Sequence, residues 1–308
     1  GQGSQSVGML DAWNDHPTVE ATLEEASEAL GEDLGQLIHE GPKETLALTT
    51  NTQPVILVAA VAAYRVWLAE GGAPPSFVAG HSLGEYSALV ASEVLSLTQA
   101  VPLVRLRAQA MQDAVAFGAG AMAAVLGLQA AQVVAICAQA QAEFAADSGE
   151  IVQAANFNDP GQVVISGSKQ AVEKACDLLK AAGAKRTLPL PVSAPFHCAM
   201  MEPAAQRLRQ HLQGLTLGTP KIPVINNIDV TEETDPERIR HALFRQAFGP
   251  VRWVETIQRM QERGVSHVVE CGPGKVLTGM VKRISPDLQS HALYDPSTLT
   301  ETVDFLKT

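Results

Sequence analysis

Ser82 sits between two glycines, in Gly80-His81-Ser82-Leu83-Gly84. The apolar Phe77-Val78-Ala79 before it reads as a strand, and Glu85 through Val90 after it as a helix. A serine at a strand-to-helix turn of this kind is a nucleophile elbow. Its backbone is strained, so the residues two before and two after must lack side chains that would clash. The turn pushes the hydroxyl out at the end of a sheet and onto a helix N-terminus, where backbone N–H groups can hold a developing oxyanion. A bare glycine-rich turn would share the five letters, but the strand and helix around them favour the nucleophile.

A nucleophilic serine needs a general base. The chain has eight histidines, and periodicity selects none of them. His81 adjoins Ser82, but successive side chains diverge in so tight a turn, so a scaffolding role suits it better. His211 and His241 lie among polar helical residues, His267 lies in a strand, and His16, His39 and His291 fall in polar or irregular stretches. His197 stands at a loop-to-helix junction after Pro195, where catalytic groups are more often found than core ones. A hydrolase-type triad would run Ser, acid, His. Asp159, Asp177 and Asp229 are candidate acids and His267 or His291 candidate late histidines, yet none forms a recognisable pair.

Arg107 is the third such residue. On the helix read from Thr98 to Val115, Val101, Leu103, Val104, Leu106, Ala108, Met111 and Val115 form an apolar arc, and Arg107 falls inside it. An inward guanidinium is costly unless an anion meets it. A buried Asp or Glu could answer it, as could a substrate carboxylate held bidentately.

These residues hang on elements of two textures. The first part contains a helix from Pro17 to Leu30, opened by its proline and closed by Gly31, and an apolar, buried helix from Gln53 to Ala69. Then Met122–Leu128, Ile151–Phe157, Val163–Ser166 and Lys185–Leu190 read as strands, with helices at Gln129–Ala142 and Ser168–Ala182. That βαββαβ order is ferredoxin-like and makes an inserted subdomain over 118–190, leaving 1–117 and 191–308 as a large α/β domain. In the large domain's second part, helices are expected over Cys198–Gln213, Asp235–Phe248, from Pro250 and over Lys275–Ile284. Strands are expected over Ile222–Ile228 and Val265–Cys271.

Composition narrows the function classes. The chain has 308 residues, 46% of them hydrophobic and only 5% aromatic, so Ala, Val and Leu must build the core. With 22 Lys and Arg against 33 Asp and Glu, the net charge of −11 argues against general nucleic-acid binding. Four scattered cysteines lack metal or redox spacing, which suggests a reducing, cytoplasmic setting. The longest apolar run, Pro54 to Ala63, falls short of the ~20 residues that cross a bilayer, and no stretch reads as a signal peptide. A chain starting at Gly1 rather than Met raises the expectation that its natural N-terminus lies further upstream.

The whole chain resembles the malonyl-CoA:acyl-carrier-protein transacylases of bacterial type II fatty acid synthesis. The matching stretches are Gly1-Gln2-Gly3-Ser4-Gln5, Gly80 through Tyr86, Arg107, Gly120-Ala121-Met122-Ala123, Asn156 through Gln162, the segment ending in His197, Asn226 through Val230, and Glu270 through Leu277. The resemblance implies an α/β-hydrolase-like large domain with a parallel sheet. It implies that Ser82 carries the acyl group in a ping-pong transfer and that His197 is the base, oriented by the main-chain carbonyl of Gln246 in place of an acid. It further implies an oxyanion hole from the Gln2 and Leu83 N–H groups, Arg107 on the malonyl carboxylate, and Gln53 near the site. Expected partners are malonyl-CoA and an acidic acyl carrier protein, with Lys275, Lys282, Arg283, Lys185 and Arg186 as candidate contacts. Neither a metal nor a cofactor is expected, and the chain should be a monomer. Two departures stand out: the family's first strand, leading into the Gln2 loop, is absent, and Phe196 replaces a common serine. A bulkier residue beside the base should favour malonyl over methylmalonyl groups. A serine hydrolase and a non-catalytic pantetheine-binding module are the rival classes.

Overall fold

The computed structural model describes residues 1–192 and 194–308. The N-terminal part is helical. His16 caps the Pro17–Leu30 helix by accepting from the Thr18 N–H, and Gly31 ends it with a φ of 71°. Thr49–Ala69 is the central helix, buried along most of its length. By length and composition it could cross a membrane, but 67% of its most apolar window is buried inside the protein. Pro54 interrupts its hydrogen bonding, and the Thr50 carbonyl left over is taken by Arg105 Nε at 2.6 Å. The Leu97–Asp113 helix packs beside it, opened by a reciprocal Ser96–Gln99 capping box.

A second core follows. β1 (Gly120–Leu126), β2 (Val152–Asp159), β3 (Gln162–Ser168) and β4 (Arg186–Pro189) form one sheet in the order β2-β3-β1-β4. Every neighbouring pair in it is antiparallel. Helices Ala130–Ala142 and Lys169–Ala181 cover one face, and the buried residues between them, from Ala123 to Leu179, form a cluster of their own. A smaller cluster beneath, of Met122, Ala124, Ala155 and Val164, receives Phe196.

The rest of the chain returns to the first core. Ala199–Met201 is a single 3-10 turn and the expected helix starts only at Glu202, because Pro203 suits the first turn of the α-helix that follows. Helices Pro236–Phe248 and Trp253–Glu262 lead to β5 (His267–Cys271), which pairs in parallel with β6 (Gln289–Leu293). The parallel sheet expected of the large domain is therefore short. Neither Phe77–Ala79 nor Ile222–Ile228 forms a strand: they meet in one parallel bridge, Val78 with Val224. Pro74, Pro75 and Pro223 have no N–H to extend that ladder, and Gly80 turns the chain away. Between Phe77–Ala79 and β5 lies a cavity of about 560 Å³ walled by Ile56, Tyr64, Ile257 and Leu277; Ser82, Arg107 and His197 do not line it.

Candidate active site

Ser82 has a φ of 55°, in the left-handed region that non-glycine residues avoid, a strain of ~1–3 kcal/mol. The two flanking glycines are not equivalent. A Cβ on Gly80 would lie 1.8 Å from the Gly84 carbonyl, whereas one on Gly84 would meet nothing within 4 Å. Only Gly80 is sterically compelled to be bare, and it presses on the Gly84 backbone where the Gly84–Ala91 helix begins. Among the described residues nothing accepts from the Leu83 N–H or the Gln2 N–H. Both are therefore available donors.

His197 is the histidine that reaches the elbow. Its Nε2 lies 2.7 Å from Ser82 Oγ and its Nδ1 lies 2.9 Å from the Gln246 carbonyl oxygen. Nδ1–H donates to that carbonyl, which leaves Nε2 free to accept the serine proton. The ring is buried, and burial together with the Arg107 charge pushes its pKa down to about 3, so the neutral, proton-accepting form prevails. The loop is held from several sides. Cys198 Sγ donates to the Pro195 carbonyl, Gln153 Oε1 accepts the Ala199 N–H, and Pro195 lies where a side chain on Gly120 would be. His81 instead meets Asn158 Oδ1 at 2.7 Å and packs edge-on against Trp253.

Arg107 is 2% exposed. Its Nη1 donates to Gln53 Oε1 at 2.8 Å, and its Nη2 to Gln246 Oε1 at 3.1 Å and Ser82 Oγ at 3.3 Å. The Tyr86 ring lies 5.3 Å beneath it. Among the described residues no partner is a carboxylate, so the structural ion pair that the sequence leaves open is not what answers this cation. Glu85 acts on it only through space, because its Oε1 accepts the Asn227 N–H at 2.6 Å. Gln53 continues the chain of contacts: its Nε2 donates to Thr49 Oγ1, which donates to Gln2 Oε1. One hydrogen-bonded line thus joins the guanidinium to the opening loop.

The triad alternative finds no support in these positions. Asp229 pairs with Arg245 and Asp159 with Arg283, while His267 meets Ser266 and Thr308. Phe196 is half-buried between the first core and the cluster under β1 and β3. Of the candidate docking residues, Arg283 is already engaged by Asp159 at 2.6 Å and Lys275 lies over the Tyr294 ring, whereas Lys282, Lys185 and Arg186 are exposed. Among the described residues no group of three or more His, Cys, Asp or Glu could hold a metal ion.

Comparison with known proteins places the whole chain among acyl transferases. The acyl transferase domain family matches residues 1–293. The malonyl CoA-acyl carrier protein transacylase of Escherichia coli K12 is 51% identical over 305 residues, 99% of this chain and 97% of its own length. That of Bacillus subtilis 168 is 42% identical over 308 residues, 100% of this chain and 95% of its own. The chain belongs to the malonyl-CoA–acyl-carrier-protein transacylase family. It is an acyltransferase with the family's α/β fold. A solved acyl-carrier-protein S-malonyltransferase from Burkholderia pseudomallei 1710b superposes with a TM-score of 0.95 at 56% identity, covering 99% of this chain and 97% of that one. A malonyl-transacylase in complex with its type II PKS acyl-carrier protein does so with a TM-score of 0.95 at 50% identity and the same coverage. Within this acyltransferase two buried residues of the site had no role in the sequence reading, Asn227 and Glu85. The signals were present: two asparagines ending an apolar run, and a lone acid in the apolar helix after Ser82.

Proposed function

We propose that this acyltransferase moves a malonyl group from malonyl-CoA to the phosphopantetheine thiol of an acyl carrier protein through an ester on Ser82. The observation that carries the reading is the joint one at Ser82 Oγ: a neutral imidazole 2.7 Å away and a carboxylate-free buried guanidinium 3.3 Å away. His197 takes the hydroxyl proton as Oγ attacks the thioester carbonyl. The oxyanion rests on the Gln2 and Leu83 N–H groups, and losing one such donor costs ~10²–10³ in rate. As the tetrahedral intermediate collapses, CoA leaves as a thiol with the proton from His197. The carrier's thiol then attacks the ester, and the same groups act in reverse. Gln246 orients His197 through its carbonyl. Arg107, placed with the help of Gln53, pairs with the malonyl carboxylate; an acetyl group would leave the buried cation unanswered. Every step is carried by side chains and backbone amides of this chain.

The chain then divides into a hydrolase-like domain, 1–117 with 191–308, and a ferredoxin-like one over 118–190. The carrier meets an exposed basic surface around Lys282, with Lys185 and Arg186 as further contacts and Arg283 serving the Asp159 pair first. Intact-mass measurement after incubation with malonyl-CoA tests the reading. A lasting malonyl ester is expected, absent in Ser82→Ala. Malonate release without carrier would mean a hydrolase, and neither ester nor malonate a binding module.

A further inference from the structure

The Ser82 corner is strained, and the Val78–Val224 bridge is the last backbone rung that supports it. In that rung Val78 N–H donates to the Pro223 carbonyl and Ile225 N–H to the Val78 carbonyl. A parallel ladder would next send the Gly80 N–H to the Ile225 carbonyl, a bond absent among the described residues, then the Asn227 N–H to the Gly80 carbonyl and the Ser82 N–H to the Asn227 carbonyl. The last two do not form through the backbone either. The Asn227 N–H turns instead to Glu85 Oε1 at 2.6 Å, and its carbonyl accepts from the Arg252 N–H. The Asn227 side chain makes those two bonds instead. Asn227 Nδ2 donates to the Gly80 carbonyl at 2.7 Å, and Oδ1 accepts the Ser82 N–H at 2.8 Å. Gln246 Nε2 adds a bond to Oδ1 at 3.3 Å and one to the Ser82 carbonyl at 2.9 Å.

We infer that Asn227, anchored by Glu85, is a positioning residue for the nucleophile: its carboxamide extends the sheet to Ser82 and holds the hydroxyl in line with His197 and the Leu83 N–H. The inference rests on the Ser82 ester proposed above. An asparagine is the side chain that fits. It offers a donor and an acceptor on one planar group, as a peptide does. Aspartate would face the Gly80 carbonyl with a second acceptor, and leucine would leave both elbow groups unpaired. Asn227 is fully buried, so water cannot substitute. Glu85 is also buried, in the first turn of the helix that starts at Gly84, and its carboxyl accepts the Asn227 N–H.

The test is the single-turnover rate of malonyl ester formation on Ser82, followed by quenched intact mass, alongside KM for malonyl-CoA and thermal melting. Asn227→Ala is expected to slow ester formation roughly 100-fold, the scale of a small misplacement of reacting groups, with KM within about threefold. Asn227→Asp preserves shape and guards against a variant that does not fold; it should lose activity in kcat as well. Glu85→Gln retains an acceptor for the Asn227 N–H and should restore most of what Glu85→Ala loses. An Asn227→Asp enzyme as fast as the parent, or a loss appearing only in KM or melting temperature, would overturn the inference and leave the Ser82 ester standing. Absence of ester in the parent itself would overturn both.

Discussion

Arg105 and Arg107 lie two residues apart on one helix, and its two faces treat them oppositely. On the outer face, Arg105 grips Glu32 with both terminal nitrogens, at 2.7 and 2.9 Å, and donates Nε to the carbonyl that Pro54 leaves over. Its charge is matched within the fold. On the inner face, Arg107 is met by amide and hydroxyl oxygens and the Tyr86 ring, with no carboxylate bonded to it among the described residues. Neutral dipoles offset part of the cost of burying a cation, but they leave most of its attraction for an anion that arrives later. The pair of fates separates a charge matched within the fold from one that the fold leaves unmatched, as the proposed malonyl site requires.

The strongest way to break that comparison is to remove the inner cation. Arg107→Ala should lower kcat/KM for malonyl-CoA by about 10²–10⁴-fold, the range expected when one partner of a buried charge pair is truncated. Transfer from acetyl-CoA should fall far less, so the ratio of the two substrates shifts towards acetyl. Arg107→Lys keeps the charge but not the two-pronged geometry and should fall between. An unchanged malonyl-to-acetyl ratio in Arg107→Ala would return Arg107 to the structural class of its neighbour.

The next effect is on the base. An ordinary histidine near 6.5 would be about 97% protonated at pH 5 and would cost about 30-fold in rate. Burial first, and Arg107 second, hold His197 down to about 3. A lowered histidine pKa means the neutral form persists as pH falls, so kcat/KM should stay nearly flat from pH 6.5 to pH 5 wherever circular dichroism remains native. Binding a malonyl carboxylate offsets the Arg107 charge, so the acid limb of kcat should lie above that of kcat/KM. Glu85, raised to about 7 by burial, titrates in the same window, and repeating the profile in Glu85→Gln isolates it. An acid limb of kcat/KM near 6.5 would show the imidazole to be in an ordinary environment.

How far these features could be read from sequence depended on how local their causes are. The β1–β4 sheet was legible because each strand is short, periodic and bounded by its own turn, as at Asn158-Asp159-Pro160-Gly161. Ser82 was legible for the same reason, since Gly80 must be bare for a clash with Gly84, four residues on. The inward aim of Arg107 followed from helical spacing, but whether an acid answered it did not, because that is decided by residues from other helices. The single Val78–Val224 rung was illegible: both stretches carry strand-forming residues, and the prolines that end the pairing act across 146 positions. Asn227 falls at the end of the stretch that reads as a strand, Ile222–Ile228, and only the third dimension turns its carboxamide into a rung of the sheet. Helices such as Leu34–Glu40 are too short for periodicity to declare them, and nothing before the structure pointed to β6 or the Pro296–Phe305 helix.

The smallest effect sharpens the comparison from its outer side. Arg105→Ala removes a bidentate pair that is partly solvated, with Glu32 half exposed, and such pairs contribute ~0–1 kcal/mol. It also strips the Thr50 carbonyl of its donor, which adds about 1 kcal/mol if water does not replace it. Melting should fall by roughly 2–4 °C per kcal/mol lost, the slope for chains approaching this size. The malonyl-to-acetyl ratio should not move, because Arg105 touches neither Gln53 nor Ser82. Its routes inward are the Thr50 carbonyl and Asn51 Oδ1, three and two residues before Gln53, and a packed helix transmits little through either. If Arg105→Ala shifted substrate choice, the outer face would be positioning the Gln53–Arg107 contact, and the two arginines would form one device rather than two.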